Sequence, residues 1–208
     1  MVVDDHPIVR LGIRQMIGTE PDLEICGEAG SAPEALELAR SLKPDLALID
    51  LSLEEGTALG LIRQLRQSLP GMELLVLSMH DEALFAERVL RAGARGYIMK
   101  QAAIDGLVDA IRHVSSGAVY VSPKMTQHVL EQFRDSTPGP TGLMGTLTDR
   151  ELEVFGLIGH GKSTAEIARE LAVSVKTIET YRANLKSKLK LKDAKDLLRL
   201  ATSWAEGL

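Results

Sequence analysis

The chain is predicted to fold as an α/β doubly wound parallel sheet of five strands, followed by a small all-α domain of four helices. Three observations lead there. Short apolar runs alternate with segments of helical apolar spacing as far as about residue 118. Four of those runs end in a polar side chain, and beyond a stretch of turn formers only helical patterns remain.

Each element has its own warrant. The run Leu46-Ala47-Leu48-Ile49, ending in Asp50, has the continuous apolar character of a strand buried on both faces. Residues 1–3 lead in the same way to Asp4 and Asp5, residues 74–77 to Ser78, and residues 97–99 to Lys100. Only three residues precede Asp4, fewer than the roughly five or six of an ordinary strand, so this strand is expected to begin further upstream. Pro7 sits where a first helical turn tolerates proline, and Ile8, Leu11, Met16 and Ile17 supply that helix with an apolar side. Residues 23–26 read as a short strand in which Cys26 is a small buried hydrophobe. A helix over 33–42 shows Ala35, Leu36, Leu38, Ala39 and Leu42, and Pro44 stops it. Helices near 57–69, 82–92 and 104–116 complete the alternation, the first closed by Pro70-Gly71 and the second by Gly93.

Composition narrows the class. With 208 residues, 45% hydrophobic and 25% charged, the chain suits one or two soluble domains. No apolar run approaches the roughly 20 residues of a membrane span, and the N-terminus lacks a basic-then-apolar signal pattern, so a cytoplasmic, non-membrane protein is expected. A single cysteine excludes an intramolecular disulfide and a Cys-rich metal site. The net charge of -5 is unevenly spread: from residue 144 onward there are 11 Lys+Arg against 9 Asp+Glu, and in the remainder 13 against 20. Between Lys176 and Lys195 the ratio is 7 to 2, a local concentration of positive charge.

In an open parallel sheet the carboxyl ends of the strands share one edge, and ligands bind in the crevice there. Asp4, Asp5 and Asp50 on that edge repel one another, and a bound Mg²⁺ would relieve the repulsion. Asp50 could then act as a nucleophile toward a phosphoryl group, with Lys100 and the Ser78 hydroxyl serving its oxygens. In this order these residues resemble the receiver domain of two-component response regulators, over about residues 1–118. The resemblance implies a flavodoxin-like strand order 2-1-3-4-5 and phosphorylation of Asp50 by a sensor histidine kinase. It also implies Mg²⁺ held by Asp50, Asp4 or Asp5 and the Ser52 carbonyl, and Ser78 with Tyr97 as the pair that repositions when the phosphoryl group arrives. A receiver takes part in its own phosphotransfer and dephosphorylation and is not otherwise an enzyme. Glu54 stands where the family usually has proline, adding negative charge near the site, and Gln101 occupies another frequent proline position.

Residues 119–145 read as a linker, helical at its start, in which 135–142 are turn formers with too little apolar content to pack. Thr148-Asp149-Arg150-Glu151 has the form of a capping box before Val154, Phe155 and Ile158 at helical spacing. Helices over 164–171, 175–189 and 194–204 follow. On the third helix of this part Ile178, Leu185 and Leu189 face a core, while Lys176, Glu179, Thr180, Ala183, Lys186 and Lys190 face away. That outer face mixes base-reading and phosphate-contacting side chains. Residues 146–204 resemble the LuxR-type helix-turn-helix domain of NarL/FixJ-type response regulators. The resemblance rests on Glu166-Ile167-Ala168, Leu171, Ser174, Lys176-Thr177-Ile178-Glu179 and Asn184, with Tyr181 in place of a common histidine. It implies a double-stranded DNA operator contacted by Lys176, Thr177, Glu179, Thr180, Arg182, Ala183, Asn184 and Lys186, with RNA polymerase as a further candidate partner. The final helix carries Ala194, Leu197, Leu198, Ala201 and Trp204 as an apolar stripe, which in that family pairs across a homodimer.

Residues 156–163 also spell G-x-x-x-x-G-K-S, but a phosphate-binding loop must leave a strand, and here the letters begin inside a helix. The expected function is therefore a response regulator in which phosphorylation at Asp50 controls dimerisation and DNA binding to regulate transcription. The alternative is a phosphorylation-independent DNA-binding regulator whose receiver is a dimerisation or ligand-sensing module.

Overall fold

In the computed structural model the described residues are 1–53, 58–79, 82–123, 125–127 and 146–205, with residues 83, 84 and 104 described by their backbone alone. Glu54 and most of the expected linker, including 135–142, lie outside them. The chain divides into two compact units, Met1–His128 and Val129–Leu208.

In the first unit, strands β1 (Val2–Val3), β2 (Glu28–Ala29), β3 (Leu46–Asp50), β4 (Glu73–Ser78) and β5 (Gly96–Met99) form one parallel sheet in the order β2-β1-β3-β4-β5. Asp50 pairs with Leu77 and Ser78 with Met99, so these polar residues emerge within about one residue of each other along the same edge. Crossover helices α1 (Pro7–Ile17), α2 (Ala32–Leu42), α3 (Ala58–Ser68), α4 (Glu82–Ala92) and α5 (Lys100–Ser115) flank the sheet. Ser31 caps α2 by accepting from the Glu34 amide. The central strands β3 and β4 are buried along almost their whole length.

Four local expectations are corrected. The second strand is residues 28–29 and not 23–26, because its register is set by β1, where Val2 pairs with Glu28 and Val3 with Ala29. Leu23 and Ile25 instead pack, half-buried, against the core from a loop, and Cys26 between them and the ladder is exposed. On α1 the inward seam is Val9, Ile13, Met16 and Ile17, at i, i+4, i+7 and i+8. Ile8 at 73% exposure and Leu11 at 44% lie on the outer side. Helix α5 starts at Lys100 rather than 104, directly after Met99, since Gln101, Ala102 and Ala103 are good helix formers and no loop intervenes.

The second unit consists of α6 (Asp149–Gly159), α7 (Thr164–Glu170), α8 (Val175–Lys188) and α9 (Ala194–Ala205). Thr148 and Glu151 form a complete capping box on α6, and Ser163 and Glu166 form another on α7. Leu152, Val154, Phe155 and Ile158 fill the interior. Gly159 permits α6 to meet α9 closely: a Cβ there would stand 2.4 Å from the Ala201 carbonyl oxygen. Between α7 and α8 the chain turns through Ala172 at φ 52°, and Ser174 then caps α8. Among the described residues no helix is long and apolar enough to cross a membrane.

Candidate functional site

At the carboxyl edge of the sheet the structure brings together Asp4, Asp5, His6, Asp50 and Lys100. Asp4 leaves β1 and is 1% exposed, and Asp50 closes β3 at 2%. Lys100, the first residue of α5, donates from Nζ to Asp4 Oδ2 at 2.8 Å and to Asp50 Oδ2 at 3.0 Å. The other Asp4 oxygen accepts the His6 backbone N–H at 2.8 Å, and Arg10 holds the Asp4 carbonyl at 2.6 Å. Asp5, in the bend that follows β1, meets His6 Nδ1 at 2.6 Å. Asp50 Oδ1 is buried without a hydrogen-bond partner among the described residues.

These groups polarise one another. Burial pushes the Asp50 carboxyl above the usual carboxylate range; Lys100 and the Ser52 backbone N–H pull it down, while the Asp4 charge pushes it up. Burial works against the charge on Lys100, yet the Asp4 and Asp50 carboxylates hold its ammonium above its ordinary value. The Asp5 carboxylate raises His6 in the same manner.

The donor set suits a hard divalent cation. One ligand atom from each of Asp4, Asp5, His6 and Asp50 falls within 4.8 Å of the others, and Mg²⁺ takes a few carboxylate oxygens and completes its shell with water. Both Asp4 oxygens already accept hydrogen bonds. The unpartnered Asp50 Oδ1 and the half-buried Asp5 carboxylate are therefore the positions best placed to ligate. Ser52 follows two residues after Asp50. Ser78 closes β4 and Tyr97 lies on β5, both fully buried. The contribution of His6 escaped sequence reasoning; the signal was its place beside two consecutive aspartates.

In the second unit, α8 buries Ile178 and Leu185, with Leu189 buried just beyond its end. It exposes Lys176, Glu179, Thr180, Ala183 and Asn184; Thr177, Arg182 and Lys186 are half-buried at its margins. Thr177 is occupied with Ser174 at 2.8 Å, and the Thr180 hydroxyl donates to the Lys176 carbonyl at 3.0 Å. The exposed face of α8 is thus polar and basic, on the second helix of a helix-turn-helix. On α9, Leu197 and Ala201 are consumed by their own unit's core, whereas Ala194 and Leu198 remain exposed. The letters of a phosphate loop have no strand before them: Gly156 is buried inside α6, Lys162 pairs with Glu170, and Ser163 caps α7.

The family described as the response regulator receiver domain matches residues 1–112, and the luxR family of bacterial regulatory proteins matches residues 145–201. The chain belongs to the response regulators. Among relatives, this regulator is 35% identical to the oxygen regulatory protein NreC of Staphylococcus carnosus (strain TM300), over 97% of this chain and 95% of that protein. It is 36% identical to NreC of Staphylococcus aureus (strain JH9) with the same coverage. Among solved structures, it resembles RcsB of Salmonella enterica serovar Typhimurium bound to promoter rprA in the presence of the phosphomimetic BeF3- (TM-score 0.62, 26% identity, 97% of this chain and 96% of that one). It also resembles a LuxR-family two-component response regulator from Aurantimonas sp. SI85-9A1 (TM-score 0.60, 36% identity, 64% of this chain and 94% of that one). The sheet order is the 2-1-3-4-5 that the receiver-domain resemblance implied.

Proposed function

We propose that this response regulator accepts a phosphoryl group on Asp50 from a sensor histidine kinase and thereby controls its own dimerisation and its binding to double-stranded operator DNA. The observation that carries the reading is Asp50 Oδ1, an unpartnered carboxylate oxygen at the carboxyl edge of the sheet, in a residue whose other oxygen is fixed by Lys100. A nucleophile needs a free lone pair and a fixed orientation, and Asp50 has both. In transfer, Oδ1 forms the new O–P bond as the P–N bond to the kinase imidazole breaks. Lys100 then serves the phosphoryl oxygens as a cation, and Ser78 as a hydroxyl donor. Mg²⁺ held by Asp5 and Asp50, with Asp4 behind them and the Ser52 carbonyl beside them, would supply charge neutralisation at those oxygens.

The exposed face of α8 reads the operator, with Glu179, Thr180 and Ala183 toward bases and Lys176, Arg182 and Lys186 toward phosphates; Thr177 and Asn184 flank them. Ala194 and Leu198, with Leu197 and Ala201 behind them, are the contact of an active homodimer, since paired half-sites are the usual route to operator specificity. RNA polymerase is the further partner of a promoter-bound regulator, and the cytoplasm is the compartment that holds kinase domain, DNA and polymerase together.

The test is phosphotransfer from a small phosphodonor with Mg²⁺, followed by mass measurement on wild type and Asp50→Asn, and operator titration of both. A phosphate adduct on wild type alone, with tighter DNA binding, is expected. DNA binding that is indifferent to the adduct would favour the phosphorylation-independent alternative.

A further inference from the structure

The chain does not leave the receiver where α5 ends. After Ser115 it turns at Gly117, at φ 84°, and runs back along the sheet. Tyr120 N–H donates to the Arg95 carbonyl at 3.1 Å, and Tyr97 N–H donates to the Tyr120 carbonyl at 2.8 Å, making a parallel bridge onto the open edge of β5. The Tyr120 ring packs on the receiver core and meets His113 edge-on, with centroids 5.8 Å apart. Gly96 makes this approach possible, because a Cβ there would lie 3.1 Å from Tyr120 Cβ and 2.9 Å from atoms of Leu75 and Val114. Two residues later the Ser122 N–H donates to Glu82 Oε1 at 2.8 Å. The Ser122 hydroxyl accepts from the Met125 amide at 3.1 Å, and Met125 is buried.

One anchor of this strap lies on β5, which carries the proposed switch residue Tyr97, and the other on α4, the helix that follows the strand ending in Ser78. Tyr97 is itself the donor of one bond. Glu82, buried at 7%, is the first residue of α4, four positions after Ser78 at the end of β4. A carboxylate accepting a backbone amide in a buried place makes a strong, charge-assisted bond. It ties the start of α4 to the segment that leads out of the receiver. The strap lies beyond residue 112, where the receiver family match ends.

We propose that residues 118–123, fastened by the Tyr97–Tyr120 bridge and by Glu82 on Ser122, are the output lever of the receiver: the fastening changes when Ser78 and Tyr97 reposition, and so reports the state of Asp50 to the linker. This rests on the phosphoacceptor reading of Asp50. Glu82 is a positioning residue here and touches no phosphate. Its effect is a coupling free energy between the phosphorylation site and the outgoing segment.

The test uses the full chain, phosphorylated by a small phosphodonor with Mg²⁺, and reads three quantities: the Asp50 adduct by mass, amide exchange of the peptide covering 118–123, and operator affinity. In wild type the exchange of that peptide is expected to shift by at least fivefold on phosphorylation. Glu82→Ala should speed its exchange about tenfold without phosphate, abolish the phosphate-dependent shift, and cut the phosphate-dependent gain in affinity by at least fivefold while the adduct yield is unchanged. Glu82→Gln, which keeps an oxygen acceptor for Ser122, should restore most of the gain; a purely structural defect would instead lower the adduct yield or loosen the β3 peptide. The lever is overturned if wild type carries the adduct and 118–123 exchanges identically with and without it. It is overturned as well if Glu82→Ala retains the full gain in affinity. Absence of any adduct in wild type overturns the phosphoacceptor reading and the lever with it, an outcome the mass alone identifies.

Discussion

Lys100→Met isolates what the ammonium does for the two carboxylates it bonds. Asp4 and Asp50 are 1% and 2% exposed, and the variant leaves both without that cation. Removing one partner of a buried ion pair costs about 3–5 kcal/mol. Protonation sets a ceiling on the loss. A carboxyl of unfolded pKa about 3.9 takes up a proton at pH 7 for about 4 kcal/mol and at pH 5.5 for about 2. Burial already raises the Asp50 pKa with Lys100 present, and its removal raises it further. A raised folded-state pKa means that the folded state binds more protons than the unfolded one, so stability grows as pH falls. The variant should therefore lose about 3–4 kcal/mol at pH 7 in EDTA and regain about 2 by pH 5.5, while wild type, whose Asp50 is raised less, gains less over the same range. Amide exchange of peptides covering β1 and β3, corrected for intrinsic rates, reads this directly. Peptides of α8 in the other unit provide an internal control. Wild-type protection at pH 7, or no recovery at pH 5.5, would refute the argument that Lys100 compensates buried charge.

Ala172 sits at φ 52° between α7 and α8, and Ala172→Gly should relieve a left-handed alanine and stabilise the second unit by about 0.5–1 kcal/mol, read as a raised midpoint of Trp204 fluorescence in urea. Burial pushes the Glu151 carboxyl up, but Lys188 at 2.6 Å and Thr148 hold it below the usual range. Its contribution is present above the unfolded pKa of about 4.3 and is lost as pH falls through the folded value; Glu151→Gln should cost about 1–2 kcal/mol at pH 7 and flatten the acid limb of the same fluorescence transition. Asp5→Asn should weaken Mg²⁺ binding strongly in calorimetric titration, whereas equal affinity would remove Asp5 from the metal site. Thr180→Ala should lose discrimination among operators in fluorescence anisotropy, and Lys186→Ala should weaken all DNA about equally and reduce the salt slope by about one.

Much was legible in the linear chain because its signals are local. A parallel sheet buried on both faces demands continuous apolar runs, so the residues that end those runs, Asp50 and Ser78, had to fall at strand ends, and pairing places them on one edge. The Thr148–Glu151 capping box and the Ile178–Leu185 stripe depend on neighbours within a turn or two, and both formed as spaced. What depended on distant partners was not legible. Ile8 and Leu11 are as apolar as Val9 and Ile13, and only the position of the sheet decides which side of α1 is covered. Residues 23–26 have strand character, yet a two-residue β1 offers its ladder to 28–29. Asp4 and Asp5 are chemically identical, and the backbone direction at the end of β1 gives one to Lys100 and the other to His6. The return of Tyr120 to β5 joins residues some two dozen positions apart through backbone groups that every residue carries. Such bonds leave no side-chain signature, so only the folded chain could reveal which residues they join.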